Sequence, residues 1–110
     1  MTKEITGDTR VVPVLNYLAK DIEGGGKVSV GTTAVEVTFT GETVAIILTS
    51  ASDNAGILYV GKSNVASNGA NAMVYLGAGD AVTLDYDDVD NAVYVVASEA
   101  AQNFWKGAML

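Results

Sequence analysis

From Lys27 onward, apolar residues return at every second position in short bursts, and this period constrains the chain to extended structure. Strands are expected at 28–30, 35–40, 44–49, 57–61, 72–76, 81–85, 92–97 and 103–107, eight in all. Val35, Val37 and Phe39 alternate with Glu36, Thr38 and Thr40, which buries one face and wets the other, as in an antiparallel sheet. The runs 44–48 and 93–96 do not alternate and are expected to be central strands covered on both sides. Turn formers separate the bursts: Gly41-Glu42, Asp53-Asn54-Ala55-Gly56, Ser67-Asn68-Gly69, Gly77-Ala78-Gly79-Asp80 and the acidic run 87–91. An all-β fold follows, a single antiparallel β-sandwich of jelly-roll type.

Residues 1–26 read differently. They hold the chain's one proline, Pro13, and the apolar residues Val11, Val12, Val14, Leu15 and Tyr17, and they end on Gly24-Gly25-Gly26. The β-branched residues favour extended chain over a short helix after Pro13, and three residues without side chains suggest a hinge. The expected organisation is an N-terminal arm and glycine hinge over 1–26 and a sandwich domain over 27–110, with the arm lying across a neighbour or over one end of the sandwich.

Composition removes many function classes. With 110 residues there is room for one core, and burial of about 60 to 70% of the unfolded surface needs no staple. The chain has no His and no Cys, so it lacks an imidazole base, a thiolate nucleophile and the usual zinc ligands. Thirteen acidic against six basic residues give a net charge of −7, which repels a phosphate backbone; no nucleic-acid partner is expected. No apolar run approaches the ~20 residues of a membrane span and no signal peptide opens the chain, so a soluble protein made in the cytosol is expected.

The remaining motifs favour plain readings. The cluster Asp85-Tyr86-Asp87-Asp88-Val89-Asp90-Asn91 offers oxygen ligands for calcium, but an EF-hand loop counted from Asp85 would place Asp90 where glycine is needed and Val96 where a bidentate Glu is needed. It reads as a solvated hairpin turn, and neither a metal nor a cofactor is expected. Gly77-Ala78-Gly79-Asp80 lacks the third glycine of a dinucleotide fingerprint and precedes a strand, so it reads as a hairpin turn with Gly79 at positive φ. Lys62 and Ser63 are neighbours in sequence and would point to opposite faces of a strand, which argues against a Ser-Lys dyad. No catalytic residue is assigned and no enzymatic activity is expected. Tyr59, Tyr75, Tyr86 and Tyr94 read as half-buried strand residues, although Tyr59, Tyr75 or Trp105 could form a sugar platform. Phe104 and Trp105 are adjacent in a strand, so one of these two aromatics must leave the core and become a candidate subunit contact.

Three stretches carry a family likeness: Gly56-Ile57-Leu58-Tyr59-Val60-Gly61-Lys62-Ser63-Asn64-Val65, then Leu76-Gly77-Ala78-Gly79-Asp80-Ala81-Val82-Thr83-Leu84-Asp85, then Ala92-Val93-Tyr94-Val95-Val96-Ala97. Together they resemble small tailed-bacteriophage virion proteins of the capsid decoration (cement) and head-fibre type, with Ala81 standing where that group usually has Ser. The resemblance implies a β-sandwich on the outside of the phage head, a major capsid protein as partner, assembly as a homotrimer, and a virion location after synthesis in the host cytoplasm. Under that reading Val11, Val12, Val14, Leu15, Tyr17, Phe104 and Trp105 are the candidate contacts to capsid or neighbouring subunit. A carbohydrate-binding or adhesive sandwich module is the alternative.

Overall fold

The computed structural model describes residues 18–110, which form eight strands. They are β1 (Ile22–Val30), β2 (Val35–Val37), β3 (Ala45–Ser50), β4 (Leu58–Gly61), β5 (Ala72–Leu76), β6 (Ala81–Leu84), β7 (Val93–Ala97) and β8 (Gln102–Met109). Two antiparallel four-stranded sheets result, ordered β1-β8-β3-β6 and β2-β7-β4-β5. Successive strands mostly cross between the sheets, and this interleaved order is that of a jelly roll. The eight strands inferred from alternation are all present and in sequence order.

Between the sheets, alternate residues from both layers interlock. Phe104, Ile46 and Leu48 from one sheet meet Leu58, Val60, Val37 and Val95 from the other, each almost without exposure. The two non-alternating runs occupy the inner strands β3 and β7. Val96 points out of its sheet yet is buried, because Tyr59 stands opposite it in the register and the β4–β5 loop folds back there, bringing Gly69 against the Tyr59 ring.

Three expectations require correction. The glycine triplet is not a hinge before the domain but part of β1, paired with β8 through Gly24↔Gly107 and Gly26↔Lys106 around a bulge. Gly26 sits at φ 77°, a left-handed conformation that a side chain strains, and a Cβ on Gly25 would fall 2.5 Å from the Lys106 side chain. The sandwich therefore begins ahead of residue 27, at Ile22. Secondly, Gly77–Asp80 and the acidic run after β6 are not hairpin turns. β5 and β6 lie in different sheets, as do β6 and β7, so both segments are crossovers, and β4–β5 is the one pair of consecutive strands that share a ladder among the described residues. Gly79 does take the expected positive φ, 79°, within a turn closed by the Asp80 N–H donating to the Gly77 carbonyl at 3.0 Å. Thirdly, β2 ends at Val37 and not at Thr40, because the segment that follows is drawn away from the ladder by side chains of the facing sheet.

Those side chains are Lys106 and Glu23, both on the inward side of their strands. Lys106 Nζ donates to the Thr38 carbonyl at 2.7 Å and lies 5.4 Å from the centre of the Phe39 ring. The Glu23 carboxylate accepts from the Thr40 hydroxyl at 2.7 Å and from its N–H at 3.1 Å. Together they close one long side of the sandwich with charge-assisted bonds. At one end, Asn54 Nδ2 donates to the Ser50 hydroxyl and the Asn103 carbonyl, and Asn54 Oδ1 accepts from the Asn103 N–H, at 2.9, 2.7 and 2.9 Å. Gln102, itself buried, accepts from the Gly56 N–H at 2.9 Å and donates to the Ala100 carbonyl at 2.8 Å. These bonds satisfy backbone groups that the loops would otherwise bury unpaired.

Replacing Phe104 by Ala is expected to cost about 3–5 kcal/mol and to lower the melting temperature by more than about 10 °C. Asn54→Ala should cost about 1–3 kcal/mol, because it strands the fully buried Ser50 hydroxyl and the Asn103 amide. Denaturant titration followed by circular dichroism measures both, and a loss below about 1 kcal/mol for Phe104→Ala would contradict this core.

Candidate interaction surface

Alternation in β8 turns Phe104 inward, 1% exposed, and Trp105 outward, 50% exposed. Of the two aromatics, then, Phe104 belongs to the core and is withdrawn as a surface contact, while Trp105 stands on the outer face of the β1-β8-β3-β6 sheet. The register places Lys27 and Thr49 beside it, and one step along β8 it places Gly107 opposite Gly24 and Ile47. A further step brings Met109 opposite Ile22, which is 78% exposed. Within these four strands Lys27 is the one charged side chain that alternation directs outward, since Glu23 and Lys106 face the sandwich interior. No carboxylate is directed outward by these strands, although the chain carries thirteen Asp and Glu residues. Sequence reasoning found Trp105 but missed Ile22 and Met109. The sign was there in the run Asn103, Trp105, Gly107, Met109, which continues the outward register of β8 to its end.

The outer face of the second sheet has a different chemistry. Tyr59 and Tyr75 are direct cross-strand neighbours, Tyr94 lies two strands from Tyr75, and Glu36 stands opposite Tyr94. Tyr59 and Tyr94 are half-buried, as expected of strand tyrosines, whereas Tyr75 is 70% exposed beside the exposed Met73. Trp105 lies on the opposite side of the sandwich and shares no platform with these tyrosines.

The acidic run is organised by its own hydrogen bonds. The Thr43 hydroxyl, 2% exposed with its residue, donates to the Tyr86 carbonyl at 2.6 Å and accepts from the Asp88 N–H at 3.2 Å. The Asp87 carboxylate accepts from the Val89 N–H at 3.1 Å, and the Tyr86 hydroxyl donates to the Asn91 carbonyl at 2.9 Å. Among the described residues, no three acidic side chains gather closely enough to hold a metal ion.

An open groove of about 740 Å³ runs between the free edges of β5 and β6, with Met73, Leu84 and Val93 on its apolar walls and Lys62, Asn64 and Asp85 at its polar rim. Asp85 is its one acidic lining residue among the described residues, so it presents no carboxylate pair for glycoside hydrolysis. Lys62 and Ser63 are both exposed in the β4–β5 loop, past the end of the strand. The remaining candidate contacts, Val11, Val12, Val14, Leu15 and Tyr17, lie outside the described residues.

Comparison with protein-family models, with curated proteins and with solved structures yields no match for this chain.

Because the Thr43 hydroxyl, the Asp87 carboxylate and the Tyr86 hydroxyl already hold its backbone, the acidic run is expected to keep its shape without a cation. Adding EDTA or calcium should leave the melting temperature within about 2 °C, well short of the 4–8 °C that roughly 1 kcal/mol of bound-ion stabilisation would produce in a domain of this size. A larger shift in differential scanning fluorimetry would show that calcium is bound.

Proposed function

We propose that this chain is a non-catalytic structural protein of a tailed-phage virion, a decoration or cement protein that attaches to the outside of the capsid as a homo-oligomer. The observation that carries the reading is the sheet face around Trp105, partly apolar and with no carboxylate directed outward by its strands, on a chain of net charge −7. Such a face suits attachment to another protein surface, where exposed aromatic residues are the common anchors. The resemblance to phage virion proteins adds the kind of surface, and it falls on β4, β6 and β7 with the turns beside them. A sandwich tied by side-chain bonds at its end and along its side is also the build required of a clamp that must not open when a shell is strained.

In this reading the major capsid protein is the partner, and the apolar residues Val11, Val12, Val14, Leu15 and Tyr17 attach the sandwich to it. Full burial of each against a partner contributes ~1.5–3 kcal/mol. The location that goes with it is the virion surface, reached after synthesis in the host cytoplasm.

A second reading, a glycan-binding or adhesive module, is favoured by one feature, the Tyr59–Tyr75 pair with its exposed outer ring beside Met73.

The purified chain should bind saturably to empty capsids that lack it. Removal of residues 1–17, with the chain then beginning at Leu18 so that β1 stays whole, should leave the circular dichroism spectrum of the sandwich in place and weaken binding by about a hundredfold, the equivalent of losing two anchors. Absence of saturable binding by the full chain would overturn the capsid reading. The glycan reading is checked by calorimetry against a panel of oligosaccharides; heat that disappears in Tyr75→Ala would favour it over the first.

A further inference from the structure

Glycine inside a strand weakens it relative to alanine, so each such glycine needs a local reason. In β1, Gly26 has one in its positive φ, and Gly25 has one in the Lys106 side chain that lies against it. Among the described residues Gly24 and Gly107 have none. Both have ordinary strand backbone; a Cβ on Gly24 would meet no atom within 4 Å, and one on Gly107 would meet the Glu23 carbonyl oxygen at 3.6 Å, an ordinary contact. They are directly opposite each other in the β1–β8 register, and both lie on the outer face that carries Trp105. The result is a side-chain-free depression in the sheet surface, two residues along β8 from an indole that is 50% exposed.

We infer that this face pairs with the same face of a second copy, the Trp105 indole of each chain seated on Gly107 and Gly24 of the other. Knob and hole lie on one surface about 7 Å apart along the strand, so a two-fold axis crossing β8 between them places each indole over the partner's glycines. Such a contact is self-complementary, as an isologous interface must be. Electrostatics select the same face. Two chains of charge −7 repel wherever their acidic surfaces meet, and in these four strands no carboxylate is directed outward. Ile22 and Met109, both exposed, extend the apolar patch beyond the glycine pair and enlarge the surface the partner covers.

The inference deepens the interaction-surface part of the proposed function. It takes a pair in place of the trimer that the family resemblance implies, because a face bearing both knob and hole closes at two. It does not depend on the capsid, and its test uses none.

The full chain is measured by sedimentation velocity from about 1 to about 100 µM, the range in which a dissociation constant of a few micromolar would show. Trp105 is the chain's one tryptophan, so its emission reads the contact directly. A dimer mass is expected, with emission shifting to the blue as concentration rises. Gly107→Val and Gly24→Val each fill the hole with a β-branched residue that a strand accepts, and each should weaken dimerisation at least tenfold while preserving the circular dichroism spectrum; Trp105→Ala should do the same. Tyr75→Ala, on the opposite sheet, should leave the mass unchanged. A monomer throughout the range, a trimeric mass, or a dimer that survives both valine variants would each overturn the inference.

Discussion

The register of β8 is the constraint on which the rest of the molecule depends. This strand is hydrogen-bonded on both sides, to β1 and to β3, and each of its faces has a separate task. Phe104 fills the core, Lys106 reaches across to the β2–β3 connection, and Gln102 satisfies the loop before β4. From the other face, Trp105, Gly107 and Met109 form the outer surface. A slip of one residue would put the indole in the interior and Phe104 in water, and would carry the lysine away from the only backbone carbonyl it is seen to hold among the described residues. The flanking strands pin the register from both sides, and the bulge at Gly24–Gly26 lets β1 follow it while admitting the Lys106 side chain.

The core supplies the burial but not the closure. With no cysteine in the chain, the ends and the open side of the sandwich are held by polar side chains that reach from one element to a distant one. Glu23 and Lys106 tie β1 and β8 to residues 38–40, Asn54 ties the loop after β3 to β8, and Thr43 ties the start of β3 to the crossover after β6. Each bond adds only about 1 kcal/mol net, and those of Asn54 and Thr43 also satisfy part-buried backbone carbonyls that would cost more if left unpaired. Most of these contacts span more than forty positions of sequence, so they fix topology as well as stability.

What the sequence made legible follows from what is local. Alternation and turn residues revealed eight strands in order, and the inner position of the runs 44–48 and 93–96 could be read from their unbroken apolarity. Adjacent Phe104 and Trp105 required one to be outside. Pairing is not local, and this is where the reading departed. An Asp- and Asn-rich segment such as 85–91 looks the same whether the chain returns along its own strand or crosses to the other sheet, because Asx bonds to nearby amides serve both. Gly24-Gly25-Gly26 read as a hinge because glycine is usually punctuation. Its actual reasons, a positive φ and a lysine stem packed against the backbone, exist only once β8 lies beside it. Lys106 was hidden for a related reason, since charge suggests solvent, and nothing local shows that Thr38 offers a carbonyl across the sandwich.

The same distinction bears on the outer face. The four glycines at the centre of the β1–β8 ladder can be sorted by one question, whether the folded chain itself needs the missing side chain. Gly25 and Gly26 are needed, and nothing among the described residues needs the Gly24–Gly107 pair, although it weakens two strands at once. A cost without an internal return is best explained by something that approaches from outside, and the chemistry of the surroundings narrows what that is. A nucleic acid or a basic surface would be met by charge, whereas this face offers an indole, a shallow floor of backbone and a single lysine from its strands. The surface that it fits most closely is its own copy.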